Sequence, residues 1–163
     1  MNRLRAIVFG LLAASLALPA AAGDADVRAA CHALVIDYAY YRDRGDADAF
    51  GNLFTADARL EVLGEVWNGR TAIRERLHTP PEATPLLRHH MTTIRITPQG
   101  NDRAVGVSYA AIYAGPPGAE APHPQTGLAA VGEYHDQFQR TSSGWKIAKR
   151  TFVPVFLPPA PTP

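Results

Sequence analysis

A chain of 163 residues supports one domain with a real hydrophobic core and is too long to need the staples of a mini-protein. Apolar residues make up 47% and charged residues 19%, with a formal net charge of +1 and the arginines scattered among acids, which excludes the basic stripe of a nucleic-acid binder. A single cysteine, Cys31, excludes an intramolecular disulfide framework.

Residues 1–22 read as a secretory signal peptide. Arg3 and Arg5 form a basic start, an apolar run follows over 6–18, and Pro19-Ala20-Ala21-Ala22 closes it with small residues. The run is too short to span a bilayer comfortably, and the alternative is a retained N-terminal anchor. Cleavage after Ala22 would leave a nearly neutral mature chain. It predicts a periplasmic or secreted protein that does not engage the membrane once processed. The domain then covers 23–155, and 156–163 is a Pro-rich tail. Cys31 has no apolar residue in the preceding Arg28-Ala29-Ala30, so it does not read as a lipidation site. It reads as a small hydrophobe packed on a helix.

The mature chain opens with a helix over 24–44. Val27, Cys31, Leu34, Val35, Tyr38 and then Tyr41 or Arg42 recur at three- and four-residue steps, and Gly45 ends the helix. Asp46 caps a second, short helix reaching Phe54, and residues 55–58 form an exit turn. Residues 59–63 alternate as a strand, Gly64-Glu65 turns, and Val66-Trp67 pairs back. A third helix spans 70–77 with Ile73 and Leu77 on one face. Pro80, Pro81 and Pro85 mark a loop.

The remainder reads as a four-stranded meander. Strands are expected over 86–97, 103–113, 127–140 and 145–155, with turns at 99–102 and 142–144. The proline- and glycine-rich stretch 114–125 is a long loop of the kind that closes over ligands. Helices followed by a run of strands indicate an α+β fold. A curved, mostly antiparallel sheet wrapped over the long first helix, with two shorter helices, leaves a cone-shaped space suited to a small molecule.

Several polar residues could serve that space. Tyr38 and Asp43 differ by five positions, about 140° apart on a helix, so they do not strictly share a face. Asp43 is either a site carboxylate or a solvated acid paired with Arg42 or Arg44. His89 and His90 are neighbours on a strand and point to opposite faces. His89 shares a face with Met91 and Thr93, and Thr92, Ile94 and Ile96 lie on the other, convex face. His89 is either a general base near neutral pH or a satisfied core histidine. Tyr109, Tyr134, Asp136 and Arg150 stand on strands where some line the cavity and others face water. No phosphate-binding glycine loop, zinc-ligand spacing or serine-hydrolase elbow is present, so no metal and no cofactor is expected.

The chain resembles a known family. Asp43-Arg44-Gly45-Asp46-Ala47-Asp48-Ala49-Phe50, then Leu53-Phe54-Thr55-Ala56-Asp57-Ala58, is similar to the opening of SnoaL-like domains of the NTF2-like superfamily. Gly69-Arg70-Thr71-Ala72-Ile73-Arg74, Arg88-His89-His90-Met91-Thr92-Thr93, Tyr134-His135-Asp136-Gln137-Phe138 and Gly144-Trp145-Lys146-Ile147 carry the likeness through residues 25–153. It is nearest to the scytalone-dehydratase-like and bile-acid-dehydratase-like members, with a hexachlorocyclohexane dehydrochlorinase close by. The resemblance implies a cone-shaped NTF2-like fold and an aspartate–histidine dyad, matched by Asp43 and His89, with Tyr38 as a third catalytic group. It implies that Arg150 contacts substrate, and Thr93, Tyr109 and Tyr134 are the further candidate substrate-binding residues. Thr93 stands where many relatives carry asparagine.

These residues and this likeness together predict a cofactor-free lyase or isomerase of the dehydratase type acting on a hydrophobic cyclic small molecule. The alternative is a non-catalytic periplasmic domain that binds such a molecule. A second copy of the chain, docked on the convex sheet face, is the candidate protein partner. No nucleic-acid partner is expected.

Overall fold

The long first helix sets the frame. In the computed structural model, which describes residues 23–124 and 127–159, α1 spans Asp24–Arg44. Val27, Cys31, Leu34, Val35, Tyr38 and Ala39 form its buried stripe. Asp24 and Asp26 in the first turn and Arg42 and Arg44 in the last complement the helix dipole. Gly45, at φ 67°, donates its N–H to Arg42 O, and Asp46 donates to Tyr41 O, a Schellman closure that only a glycine adopts without strain. α2 (Ala47–Asn52) follows at once, with the Asp46 carboxylate accepting from the Ala49 N–H at 3.0 Å. The expected signal segment, 1–22, lies outside the described residues. Among the described residues, no helix is long and apolar enough to cross a membrane.

The chain turns into β1 (Phe54–Val62) earlier than its sequence pattern predicts. Residues 55–58 are strand, because Phe54 pairs in parallel with Ile147 at the far end of the chain. That long-range partner leaves no local trace. β2 (Glu65–Asn68) returns through Leu63-Gly64, both at positive φ, a tight primed hairpin turn. α3 (Arg70–Glu75) buries Ile73 and is shorter than the expected 70–77, and a single 3-10 turn occupies Pro81–Ala83.

Four long strands complete the sheet: β3 (Pro85–Pro98), β4 (Arg103–Pro117), β5 (Leu128–Thr141) and β6 (Gly144–Phe156). They form the expected meander, and the sheet order is β2-β1-β6-β5-β4-β3, with β1 and β6 the parallel neighbours. The expected loop at 114–125 begins later, because β4 runs on to Pro117 opposite Pro85. The sheet is curled and unclosed around α1, which packs chiefly against β3. Phe50, Phe54, Leu60, Phe138 and Ile147 fill the space, each worth about 1.5–3 kcal/mol relative to an exposed position.

One irregularity changes which residues face inward. β3 slips register between Thr92 and Arg95, with Thr93 at φ 49°. A bulge of this kind inserts a residue and inverts the alternation beyond it. Ile96 is therefore buried and Ile94 packs against the core, rather than both lying on the convex face, while Thr93 turns outward and is exposed. A second copy docking on the outer sheet face would meet Thr92, Val107 and Tyr109 instead.

Gly132 on β5 is a packing requirement. A Cβ there would lie 2.4 Å from Val153 O and 2.7 Å from the Phe152 ring. Gly132→Ala should cost about 1–3 kcal/mol through overpacking. Thermal unfolding followed by circular dichroism should show a Tm several degrees lower, and an unchanged Tm would contradict this packing.

Candidate functional site

Asp43 occupies the last turn of α1, and His89 the inward phase of β3 before the bulge. The His89 ring presents Nδ1 to Asp43 Oδ1 at 2.5 Å, and the His89 backbone N–H donates to Asp43 Oδ2 at 2.8 Å. Both side chains are largely buried, at 5% and 7% exposure. Burial pushes the Asp43 carboxyl up, but the two hydrogen bonds from His89, its charge and that of Arg88 outweigh burial and hold it below its ordinary range. An ionised carboxylate only accepts, so Nδ1 is the donor in this bond and Nε2 is the other ring nitrogen, turned away from Asp43. Nε2 makes no hydrogen bond among the described residues. Neither Arg42 nor Arg44 makes a hydrogen bond or ion pair with Asp43, whose side-chain partner is His89.

The other expected site residues separate into two groups. Tyr38, Tyr134 and Arg150 converge, but inside the packed core rather than on an open cavity. Arg150 is fully buried and holds Asp136 bidentately, Nε and Nη2 donating at 2.7 Å each. Its guanidinium lies 4.1 Å from the Tyr38 ring centroid and 4.7 Å from that of Tyr134. Burial opposes its charge, and Asp136 more than compensates, so its pKa rises further and it stays protonated. Burial, Tyr38 and a hydrogen bond shared with Tyr38 push the Tyr134 hydroxyl well above its ordinary value. Tyr38 packs edge-on against His89, ring centroids 6.3 Å apart. Burial and the nearby Asp136 carboxylate push the Cys31 thiol up to about 12, consistent with its packing role.

Tyr109 and Thr93 are not brought to the site. Tyr109 points outward, 45% exposed, in phase with Val105 and Val107, and the bulge turns Thr93 out. The sequence pattern gives Asp136 only a place on a strand, lining the cavity or facing water, and gives Arg76 no role. Asp136 had a signal: it alternates with Tyr134 and Phe138, a charged residue in the buried phase of a strand, which demands a partner. Arg76 had none, since its place depends on where α3 lands.

Asp43 also lines a groove of about 650 Å³ at the open end of the molecule, with Leu77, Thr84, Leu86, Ala119 and Glu120 among its walls. A separate groove of about 430 Å³ lies on the outer sheet face, lined by Arg95, His135 and Lys149 and removed from the dyad. Among the described residues, no cluster of three or more His, Cys, Asp or Glu side chains could hold a metal ion.

A curled, unclosed six-stranded sheet around one long helix defines the NTF2-like cone. The chain belongs to the SnoaL-like domain family, which matches residues 24–151. Among solved structures, Rv3472 of Mycobacterium tuberculosis, a protein of unknown function solved as a variant, is similar at 27% identity over 81% of this chain and 77% of its own, with a TM-score of 0.66. A protein of Novosphingobium aromaticivorans described as a candidate scytalone dehydratase is 20% identical over 78% and 83% of the two chains, TM-score 0.67. A type 2 hexachlorocyclohexane dehydrochlorinase, LinA, is 16% identical over 80% and 86%, TM-score 0.65. The last two likenesses concern the fold. No curated protein matches the sequence.

Asp136→Asn would leave the Arg150 charge buried and unpaired. It should cost about 3–5 kcal/mol, read as a lower urea midpoint, and a loss under about 1 kcal/mol would contradict the pairing. Because the Asp43 carboxyl is depressed in the folded state, its stabilisation is present above the ordinary carboxylate range of about 4 and fades as pH falls through the lower folded value. The stability gap between wild type and Asp43→Asn should therefore shrink as pH falls from about 5 to about 2. Urea unfolding across that range checks it, and a gap constant with pH would refute the assignment.

Proposed function

We propose that this protein is an exported, cofactor-free lyase or isomerase of the dehydratase type, acting on a hydrophobic cyclic small molecule. The observation that carries the reading is the Asp43–His89 hydrogen bond, which turns Nε2 away from Asp43 and leaves it to act as the base. Nε2 takes a proton from a carbon next to a carbonyl. The C–H electron pair becomes the new C=C bond, and a C–O bond on the neighbouring carbon breaks. The imidazolium returns the proton to the departing hydroxide, and one water is lost. Asp43 holds the ring and steadies its positive charge while the proton is on loan. Tyr38 acts as a positioning residue, since its buried ring fixes the His89 ring from the side. The dehydratase and dehydrochlorinase descriptions of similar folds support an elimination. Export rests on the leader-like composition of residues 1–22.

A second reading, a binding domain without turnover, draws on the filled interior around Tyr38, Tyr134 and Arg150. It is separated from the first by chemistry. A panel of cyclic β-hydroxy ketones should yield a substrate whose dehydration, followed by ultraviolet absorbance of the enone, falls about 10²–10⁴-fold in His89→Ala. Full turnover in that variant, or none in wild type, removes the acid–base mechanism.

A further inference from the structure

The groove on the outer sheet face lies apart from the dyad, and its cations have no acid to themselves. Arg95 on β3, Val107 on β4, His135 on β5 and Thr151 on β6 stand opposite one another in register, one row across four strands. Lys149 and Val105 belong to the next row, and all six residues line the same space of about 430 Å³. Arg95 and Lys149 make no hydrogen bond or ion pair among the described residues. His135 Nε2 is held by Glu133 Oε2 at 2.9 Å, and its Nδ1 has no partner among them. Asp136, the one acid among the described lining residues, is engaged through both oxygens by Arg150. The Thr93 bulge puts Arg95 in this place. With an unbroken phase Arg95 would face the core alongside His89 and Met91, and the register slip turns it outward instead. The slip holds Thr93, a β-branched residue, at φ 49°, a conformation such residues rarely adopt and one that concentrates at functional positions.

We infer that this groove is a second ligand site and that it takes a soluble phosphate monoester with a flat apolar body. The inference is independent of the Asp43–His89 reading. Arg95 stands on one wall, and Lys149 stands on the other, three strand spacings or about 14 Å away between backbones, with His135 between them. Both long side chains can reach inward across that span. A phosphate monoester brings close to two negative charges and three acceptor oxygens, enough for a guanidinium, an ammonium and an imidazole N–H together. A carboxylate brings one charge and two oxygens. Val105 and Val107, half-buried between the cations, form an apolar floor for a ring. The neighbouring acids are occupied, Glu133 by His135 and Glu61 by Arg59. The cations face one another across a recess rather than lying in one plane, which suits a small soluble molecule over a membrane surface. A second copy centred here on a two-fold axis would set these cations against themselves, so the groove is a ligand site and not a contact between copies.

Calorimetric titration of the purified protein with phenyl phosphate, inorganic phosphate and uncharged benzyl alcohol tests this without requiring turnover. Phenyl phosphate should bind about 10-fold more tightly than either control, and added sodium chloride should weaken it. Arg95→Met and Lys149→Met should each lose about 10-fold in phenyl phosphate affinity, with Arg95→Lys recovering part of it and circular dichroism confirming the fold. Arg44→Met, at the open end of the cone, and His89→Ala should leave binding unchanged. No phenyl phosphate binding, equal affinity for either control, or an equal loss in Arg44→Met or His89→Ala would overturn the site. So would pelleting with phosphatidate vesicles in the absence of phenyl phosphate binding, which marks a membrane face. A dimer that Arg95→Met dissociates would mark a contact between copies and overturn it as well. Phenyl phosphate binding together with His89-independent turnover would sink the acid–base reading alone, whereas His89-dependent turnover without phenyl phosphate binding would sink the outer site alone.

Discussion

A guanidinium with no solvent exposure at all organises the interior of this domain. Arg150 is fixed by sequence position on β6, and once it is inside, its charge must be met in place. Asp136 meets it from the neighbouring strand, directly opposite in register, with both carboxylate oxygens engaged. Tyr38 and Tyr134 then enclose the guanidinium with their π faces and pack edge-on against each other, ring centroids 5.3 Å apart. The core is therefore built around a polar nucleus, and the aromatic residues Phe50, Phe54 and Phe152 pack on its outside.

That nucleus extends to the candidate chemistry through one ring. Tyr38 contacts Arg150 on one side and His89 on the other, so the histidine is positioned by the same tyrosine that covers the buried charge. Asp43 comes from the same helix as Tyr38 and reaches His89 twice, through the ring and through the backbone N–H. The helix end is held by the Gly45 closure, which fixes where Asp43 sits along the sheet. Local capping chemistry, a buried ion pair and a cross-element hydrogen bond thus act on one geometry.

The likeness to dehydratase- and dehydrochlorinase-described proteins fits this arrangement but does not by itself supply it, since one fold serves many activities. This chain is distinguished by the furnishing of its interior. Thr93 is turned out to solvent by the bulge, Tyr109 faces away, and the Tyr38 ring is what packs against His89.

The sequence alone determined much of this. The stripe from Val27 to Tyr38 and the closing Gly45 specify α1, Asp46 specifies the cap of α2, and the alternating runs separated by glycine turns specify the meander. These signals are local, repeating every few residues, and nothing distant overrides them. The motif likeness brought Asp43, His89 and Tyr38 together independently of any geometry. Tertiary structure alone decided the rest. Strand alternation assumes an unbroken phase, so the bulge at Thr93 reversed the fates of Ile94, Ile96 and Thr93. The early start of β1 depends on Ile147, most of the chain away. Asp43 meets His89 only because the end of α1 packs against β3, and proximity between segments so far apart leaves no periodic mark on a sequence.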